Sequence, residues 1–134
     1  MQPAEISPQL VERFNRLWPL LEASLNWSAY RGVWRTHDRE HVLQRVKDGK
    51  AQFWPGDQSA FVTEIYHHPT GLRSQSNWVA GGDLDELKEI MRHIEAYGRD
   101  RGCHRQIGTG RRGWTRVFGG YEELGFRKQK DLLA

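Results

Sequence analysis

One cysteine, Cys103, stands in 134 residues. That excludes an internal disulfide framework and a cysteine-rich zinc site, and it fits a reducing compartment, so a cytoplasmic location is expected. Long apolar runs are missing too. No stretch approaches the ~20 residues needed to cross a bilayer. Met1-Gln2-Pro3-Ala4-Glu5 lacks the basic and apolar regions of a signal peptide, so no membrane partner is expected. There is no repeat, linker or low-complexity segment, which leaves a single domain over residues 1–134. Metal-binding patterns are sparse. His37 and His41 have a helical i, i+4 spacing compatible with a metal, but no Glu follows His37 as in a metalloprotease helix, and no third ligand is evident. No metal is expected.

Against these absences stand 37% apolar residues and six tryptophans, enough for one real core. The formal charge of +3 is unevenly placed. From Arg99 onward nine Lys/Arg face four Asp/Glu, a net of +5, while the preceding residues carry a net of −2. A basic final third could face the phosphates of a nucleotide, a cofactor or a nucleic acid, or could be an ordinary mixed-charge surface.

The pattern along the chain predicts an α/β domain. Ser7-Pro8 is a helix start, and Val11, Phe14, Trp18, Leu21 and Leu25 recur on one helical face, with Pro19 expected to kink or split the run. Residues 26–35 read as a connector holding Trp27, Tyr30 and Trp34 against the core. Thr36 is the expected cap of a second helix with Val42, Leu43 and Val46 as its apolar face. Strands are expected over 51–54, 59–66 and 72–80, separated by turns, as an antiparallel meander. Asp83 caps a long amphipathic helix with Leu84, Leu87, Ile90, Met91, Ile94 and Tyr97 on one stripe, ended by Gly102. A strand over 103–107, a glycine- and arginine-rich loop over 108–113, a helix over 114–124 and a closing strand over 126–133 complete the order. The expected product is a mixed, mostly antiparallel sheet with helices on both faces.

This order, together with Tyr121-Glu122-Glu123-Leu124-Gly125-Phe126, resembles the GCN5-related N-acetyltransferase superfamily. Its members commonly carry a Tyr, three residues and then Gly-Phe at the end of the last helix. The resemblance implies acetyl-coenzyme A as cofactor and Tyr121 as the catalytic acid that protonates the departing thiolate; the other reading of Tyr121 is a packed helix-end residue. The family's pyrophosphate loop corresponds here to Gly81 and Gly82, the cofactor-binding candidates. This loop is short and lacks the leading Gln/Arg, and Asp83, Asp85 and Glu86 crowd the first helical turn. Carboxylates there satisfy the helix dipole and repel a diphosphate, so the turn reads as self-capped. Glu64 lies in the meander, where such enzymes sometimes carry a general base.

Gly108-Thr109-Gly110-Arg111-Arg112-Gly113-Trp114 follows a strand and precedes a helix. Its arginines could clamp a phosphate or carboxylate, which makes Arg111, Arg112 and Trp114 candidates for a partner or anion contact; a tight crossover is the alternative. The compact, acid-capped version of the fold also resembles small acetyltransferase-like proteins encoded among the virion genes of tailed bacteriophages. That implies a degenerate binding or assembly module whose partner is another protein, such as a virion component, with nucleic acid also open, located in the host cytoplasm or the virion. An active N-acetyltransferase on an amine substrate is the alternative.

Overall fold

The computed structural model describes residues 1–108, 113–125 and 128–133. Helix α1 spans Pro8–Trp27 and α2 spans Arg39–Lys47; strands β1 (Ala51–Pro55), β2 (Ser59–His67) and β3 (Arg73–Gly82) follow. Then come α3 (Leu84–Asp100), β4 (Arg105–Gly108) and the short α4 (Gly113–Val117). The four strands lie in sequence order. β1–β2 and β2–β3 are antiparallel, and β4 joins β3 in parallel through the α3 crossover. The expected mixed sheet with helices on both faces is therefore present.

Strand alternation divides the core in two. Phe53, Ala60 and Val62 face α1 and α2, joining Leu10, Phe14 and Leu21. Trp54 and Phe61 face α3, joining Ile90, Met91 and Ile94. Trp54 is fully buried and donates its indole N–H to Thr63 Oγ1 at 2.9 Å, so its polar atom is satisfied as burial requires.

The helix ends differ from expectation where long-range contacts decide. Ser7 caps α1, accepting from the Leu10 N–H, and Pro19 sits inside one unsplit helix. Pro19 and Asn15 are both exposed, so the carbonyl that loses its intrahelical donor can turn to water. Asp38, not Thr36, caps α2: Arg35 ties Asp38 to Glu22 of α1 (2.8 Å each), and His41 Nδ1 accepts the Asp38 N–H at 2.9 Å. Trp27 and Trp34 do not pack into the core. They are 47% and 61% exposed, and Trp34 stacks on Tyr30 at 5.9 Å. Leu84 also departs from its stripe, being exposed at the very start of α3.

The last helix stops at Val117 rather than Leu124, ahead of Gly119 and of Gly120, whose φ of +87° cannot continue a helix. Residues 128–133 do not form the expected closing strand, and Phe126 and Arg127 lie outside the described residues. Instead Asp131 joins the loop after α1, accepting from Arg31 Nε at 2.7 Å and from the Tyr30 hydroxyl. Among the described residues no helix is long and apolar enough to cross a membrane.

Candidate functional site

β3 and β4 pair only from Ser74↔Arg105 to Asn77↔Gly108. β4 ends at Gly108 while β3 runs on to Gly82, so the two strands part at the Asn77↔Gly108 pair. At this divergence β3 carries a bulge: Val62 pairs with Val79 and Thr63 with Asn77, so Trp78 is the extra residue. Trp78 and Val79 both pack on the α1/α2 face. Asn77 points to the α3 face and meets Tyr121, its Nδ2 donating to the phenolic oxygen at 3.2 Å.

Tyr121 thus stands where the two strands part, packed against the α3-side core and lining a cavity of about 510 Å³ with Gly98, Cys103 and Ile107. Burial pushes its phenol up to about 12, against the Asn77 hydrogen bond, which favours the phenolate, while Glu95 adds to the rise. The hydroxyl therefore keeps its proton throughout the neutral range. Asn77 Oδ1 is buried and has no partner among the described residues, an acceptor facing no donor.

The free edge of β3 beyond the divergence is covered from within. Ser24 of α1 donates its hydroxyl to the Ala80 carbonyl at 2.6 Å and accepts the Ala80 N–H at 3.2 Å. Gly81 lies so close to α1 that a Cβ on it would come within 2.1 Å of the Leu20 carbonyl oxygen. Gly82 has φ +123° and backs onto Gln58, in the turn between β1 and β2, and onto Ser59 at the start of β2. These contacts account for both candidate glycines by packing alone.

The N-terminus of α3 is also engaged. Asp83 accepts the Glu86 N–H at 2.9 Å, and Glu86 reaches back into the β1–β2 turn to accept the Gln58 N–H at 2.9 Å and the Ser59 hydroxyl. That hydroxyl bond, helped by turn N–H groups and opposed by burial, holds the Glu86 carboxyl below its usual range. Asp85 stays exposed on the first turn. One donor of the α3 N-terminus, the Glu86 N–H, thus serves the chain's own Asp83, and the neighbouring strand edge at Ala80 is taken by Ser24. Where the family resemblance would put coenzyme A, the chain thus presents a carboxylate-capped helix N-terminus and a strand edge bonded to Ser24.

Glu64 faces α2, on the opposite side of the sheet from Tyr121. It is buried, accepts from Arg45 Nε (2.8 Å) and Nη2 (2.6 Å), and accepts the Tyr66 hydroxyl at 2.9 Å. A carboxylate so engaged is a structural anchor rather than a free base. His37 packs edge-on against Trp78 at 4.8 Å, and burial pulls its imidazole down. Trp114 points inward, stacked on Phe118 at 5.0 Å and set edge-on to Phe61. Arg111 and Arg112 lie outside the described residues, as do Thr109 and Gly110. Cys103 is half-buried, and burial raises its thiol.

Sequence reasoning missed Asn77 and Ser24. The signal for Asn77 was an Asn, poor in strand propensity, directly before the aromatic Trp78 in a β-prone run. Ser24, a lone hydroxyl between apolar helix positions, gave no local sign of its partner 56 residues away.

No family model matches the chain, and no curated protein does. Solved structures do. A ribosomal-protein-alanine N-acetyltransferase from Brucella melitensis biovar Abortus 2308 superposes with a TM-score of 0.57 at 14% identity, over 90% of this chain and 95% of that one. A glucosamine-6-phosphate N-acetyltransferase from Arabidopsis thaliana gives 0.56 at 11% identity over 97% of each chain. An acetyltransferase from Trypanosoma brucei gives 0.53 at 11%, over 84% and 89%. At these identities the likeness is one of fold.

Proposed function

We propose that this chain is an acetyltransferase-fold protein whose cofactor groove is closed by its own side chains, and that it works as a binding or assembly module. The small acetyltransferase-like proteins of tailed-phage virions are the kind it resembles. The observation that carries this reading is the Ser24 hydroxyl on both backbone groups of Ala80. A ligand that paired with this strand edge would have to displace α1. Glu86 and Asp83 support the same reading at the helix N-terminus, where an incoming diphosphate meets carboxylates.

Acetyl-coenzyme A-dependent N-transfer to an amine is the second reading. It is favoured by the place of Tyr121 at the strand divergence and by Asn77 Oδ1 beside it, which has no partner among the described residues. Because that hydroxyl accepts from Asn77, its own proton is left to donate, as an acid in this position must. Calorimetric titration of acetyl-coenzyme A into the protein separates the two. The module reading expects no heat of binding up to millimolar cofactor. Saturable binding in the micromolar range would overturn it, and Tyr121→Phe would then be the variant to assay for loss of acetyl transfer.

A further inference from the structure

The start of α2 is fastened at three points. Arg35 spans Glu22 on α1 and Asp38 at the α2 cap, 2.8 Å to each. His41 Nδ1 accepts the Asp38 N–H at 2.9 Å, which closes the first turn on itself. His37 sets its ring edge-on to Trp78 of β3, with centroids 4.8 Å apart. The two imidazoles stand 6.3 Å from each other and nearly perpendicular.

His41 occupies the third helical position, N3. There a Glu or Gln ordinarily reaches back to the N-cap N–H and completes a capping box. A Gln does so at any pH, and a Glu until its carboxyl is protonated near pH ~4.3. A histidine does so only while Nδ1 is bare, because a protonated ring has two donors and no acceptor. The residue type at this one position makes the cap sensitive to mild acid.

His37 adds a second titrating contact. It is half-buried, and burial pulls its imidazole down; His41 and Arg45 of α2 act the same way, and Glu64 of β2 opposes them. Arg45 and Glu64 are themselves paired at 2.6 Å. Nδ1 of His37 meets the Thr36 hydroxyl at 2.9 Å, a partner that serves as donor or acceptor and leaves the ring free to change its charge. The carboxylates on the same turn, Asp38 and Glu40, already pair with Arg35 and Arg39. An imidazolium on either histidine would also stand at the positive end of the α2 dipole. With its folded value lowered, His37 contributes stability that is complete above the unfolded ~6.5 and is lost as pH falls from there toward the folded value. The arginine fastening lasts further into acid, since the bond from Arg35 holds the Glu22 carboxyl below its usual range.

We propose that the first turn of α2 is an acid-responsive hinge. Protonation of His37 and His41 opens the cap and lifts His37 from Trp78, while Arg35 still tethers the turn to α1 and the two cores stay folded. Trp78 is the extra residue of the β3 bulge and lies half-buried on the α1/α2 face, with the Arg45 guanidinium 5.9 Å from its ring centre. Opening the hinge uncovers that ring, so mild acid adds an aromatic surface to the domain. The device lies across the sheet from Tyr121 and does not depend on whether coenzyme A binds.

Hydrogen exchange of the wild-type chain tests the hinge, read by mass spectrometry on either side of the histidine range, at about pH 7.5 and about pH 5, and corrected for the intrinsic rate. Amides over residues 38–44 should lose about 10-fold in protection at the lower pH, the equivalent of one pKa unit of linkage, while those of α1 and α3 keep theirs. His37→Gln/His41→Gln removes both titrating rings, and a Gln at N3 still makes the capping box, so its protection over 38–44 should be alike at the two pH values. If this variant proves unprotected at both, the wild-type ring signals decide by NMR, assigned with the single variants His37→Gln and His41→Gln. The His37 midpoint should then lie below ~6.5 and coincide with the opening of the turn. The proposal fails if wild-type protection over 38–44 is unchanged in acid, if α1 and α3 open to the same extent, if a folded glutamine variant still loses protection, or if His37 titrates at or above the ordinary histidine value.

Discussion

Ser24 and Ala80 are joined by two hydrogen bonds through one hydroxyl, which donates to the Ala80 carbonyl and accepts its N–H. Both backbone groups point away from β2 toward the edge that β4 leaves uncovered, so this one side chain turns an open strand edge into a closed one. Ser24→Ala should leave two strand-edge groups without a partner and cost ~1–3 kcal/mol. Gly81→Ala should cost a similar ~1–3 kcal/mol by overpacking, because its Cβ would meet the Leu20 carbonyl, which is backbone and cannot swing aside. Urea unfolding measures both. Wild-type stability in both variants would mean that α1 does not seal this edge.

The α3 stripe makes a contrast between neighbours on one helix. Ile90 is 3% exposed, while Leu84 is 45% exposed. Ile90→Ala should cost ~2–5 kcal/mol, and Leu84→Ala less than ~0.5 kcal/mol as a surface change. Equal losses at both positions would show that the first turn of α3 packs as tightly as its middle.

Periodicity exposed most of the scaffold. α3 was legible because six apolar residues in a 3.6 period admit only one face, and the meander because short β-prone runs alternate with turn residues. Leu84 misled because period places a residue on a face but does not say where the partner sheet ends. Trp27 and Trp34 misled for a related reason: their hydrophobicity argues for burial, while the sheet is already covered at that point by α1 and α2. The site was the least legible part. Tyr121 was found through a local motif, but its partner Asn77 lies 44 residues away and Ser24 lies 56 from Ala80. Hydrogen bonds of that reach are set by how the helices cross the sheet, and no local pattern encodes them.

Tyr121 should ionise far above an ordinary phenol. Its burial raises the midpoint to about 12, and the Asn77 hydrogen bond opposes that rise. The ultraviolet titration difference between wild type and Tyr121→Phe should therefore show its midpoint about 2 units above the usual ~10. Asn77→Leu should move it higher still, because the bond that favours the phenolate is lost. The linkage has a definite sign. With the folded value raised, the stability Tyr121 contributes is complete below pH ~10 and is lost as pH climbs toward 12. A midpoint near 10 would place the ring in solvent and remove it from the strand divergence.

Glu86 supplies the opposite pH signature at the other end of the groove. Its carboxylate accepts from Ser59 at the start of β2 and from Gln58 in the preceding turn, and these bonds hold its folded pKa below the usual range. A depressed carboxyl contributes stability above its unfolded value of ~4.3 and loses it as pH falls through the folded value. Glu86→Gln keeps the shape and removes the charge, so charge-assisted bonds become ordinary ones, at a cost of ~1 kcal/mol near pH 7. The stability difference between wild type and Glu86→Gln should then shrink steadily below pH ~4, since wild-type Glu86 becomes neutral too. Other carboxylates titrate alike in both proteins and cancel. The same variant tests the groove: combined with Asp85→Asn it removes two negative charges from the α3 N-terminus, and any coenzyme A affinity should rise, more so at low salt. A stability difference that does not change with pH would mean that Glu86 is neutral or solvated in the folded protein. The carboxylate argument for a closed groove would then fall, leaving Ser24 alone to support it.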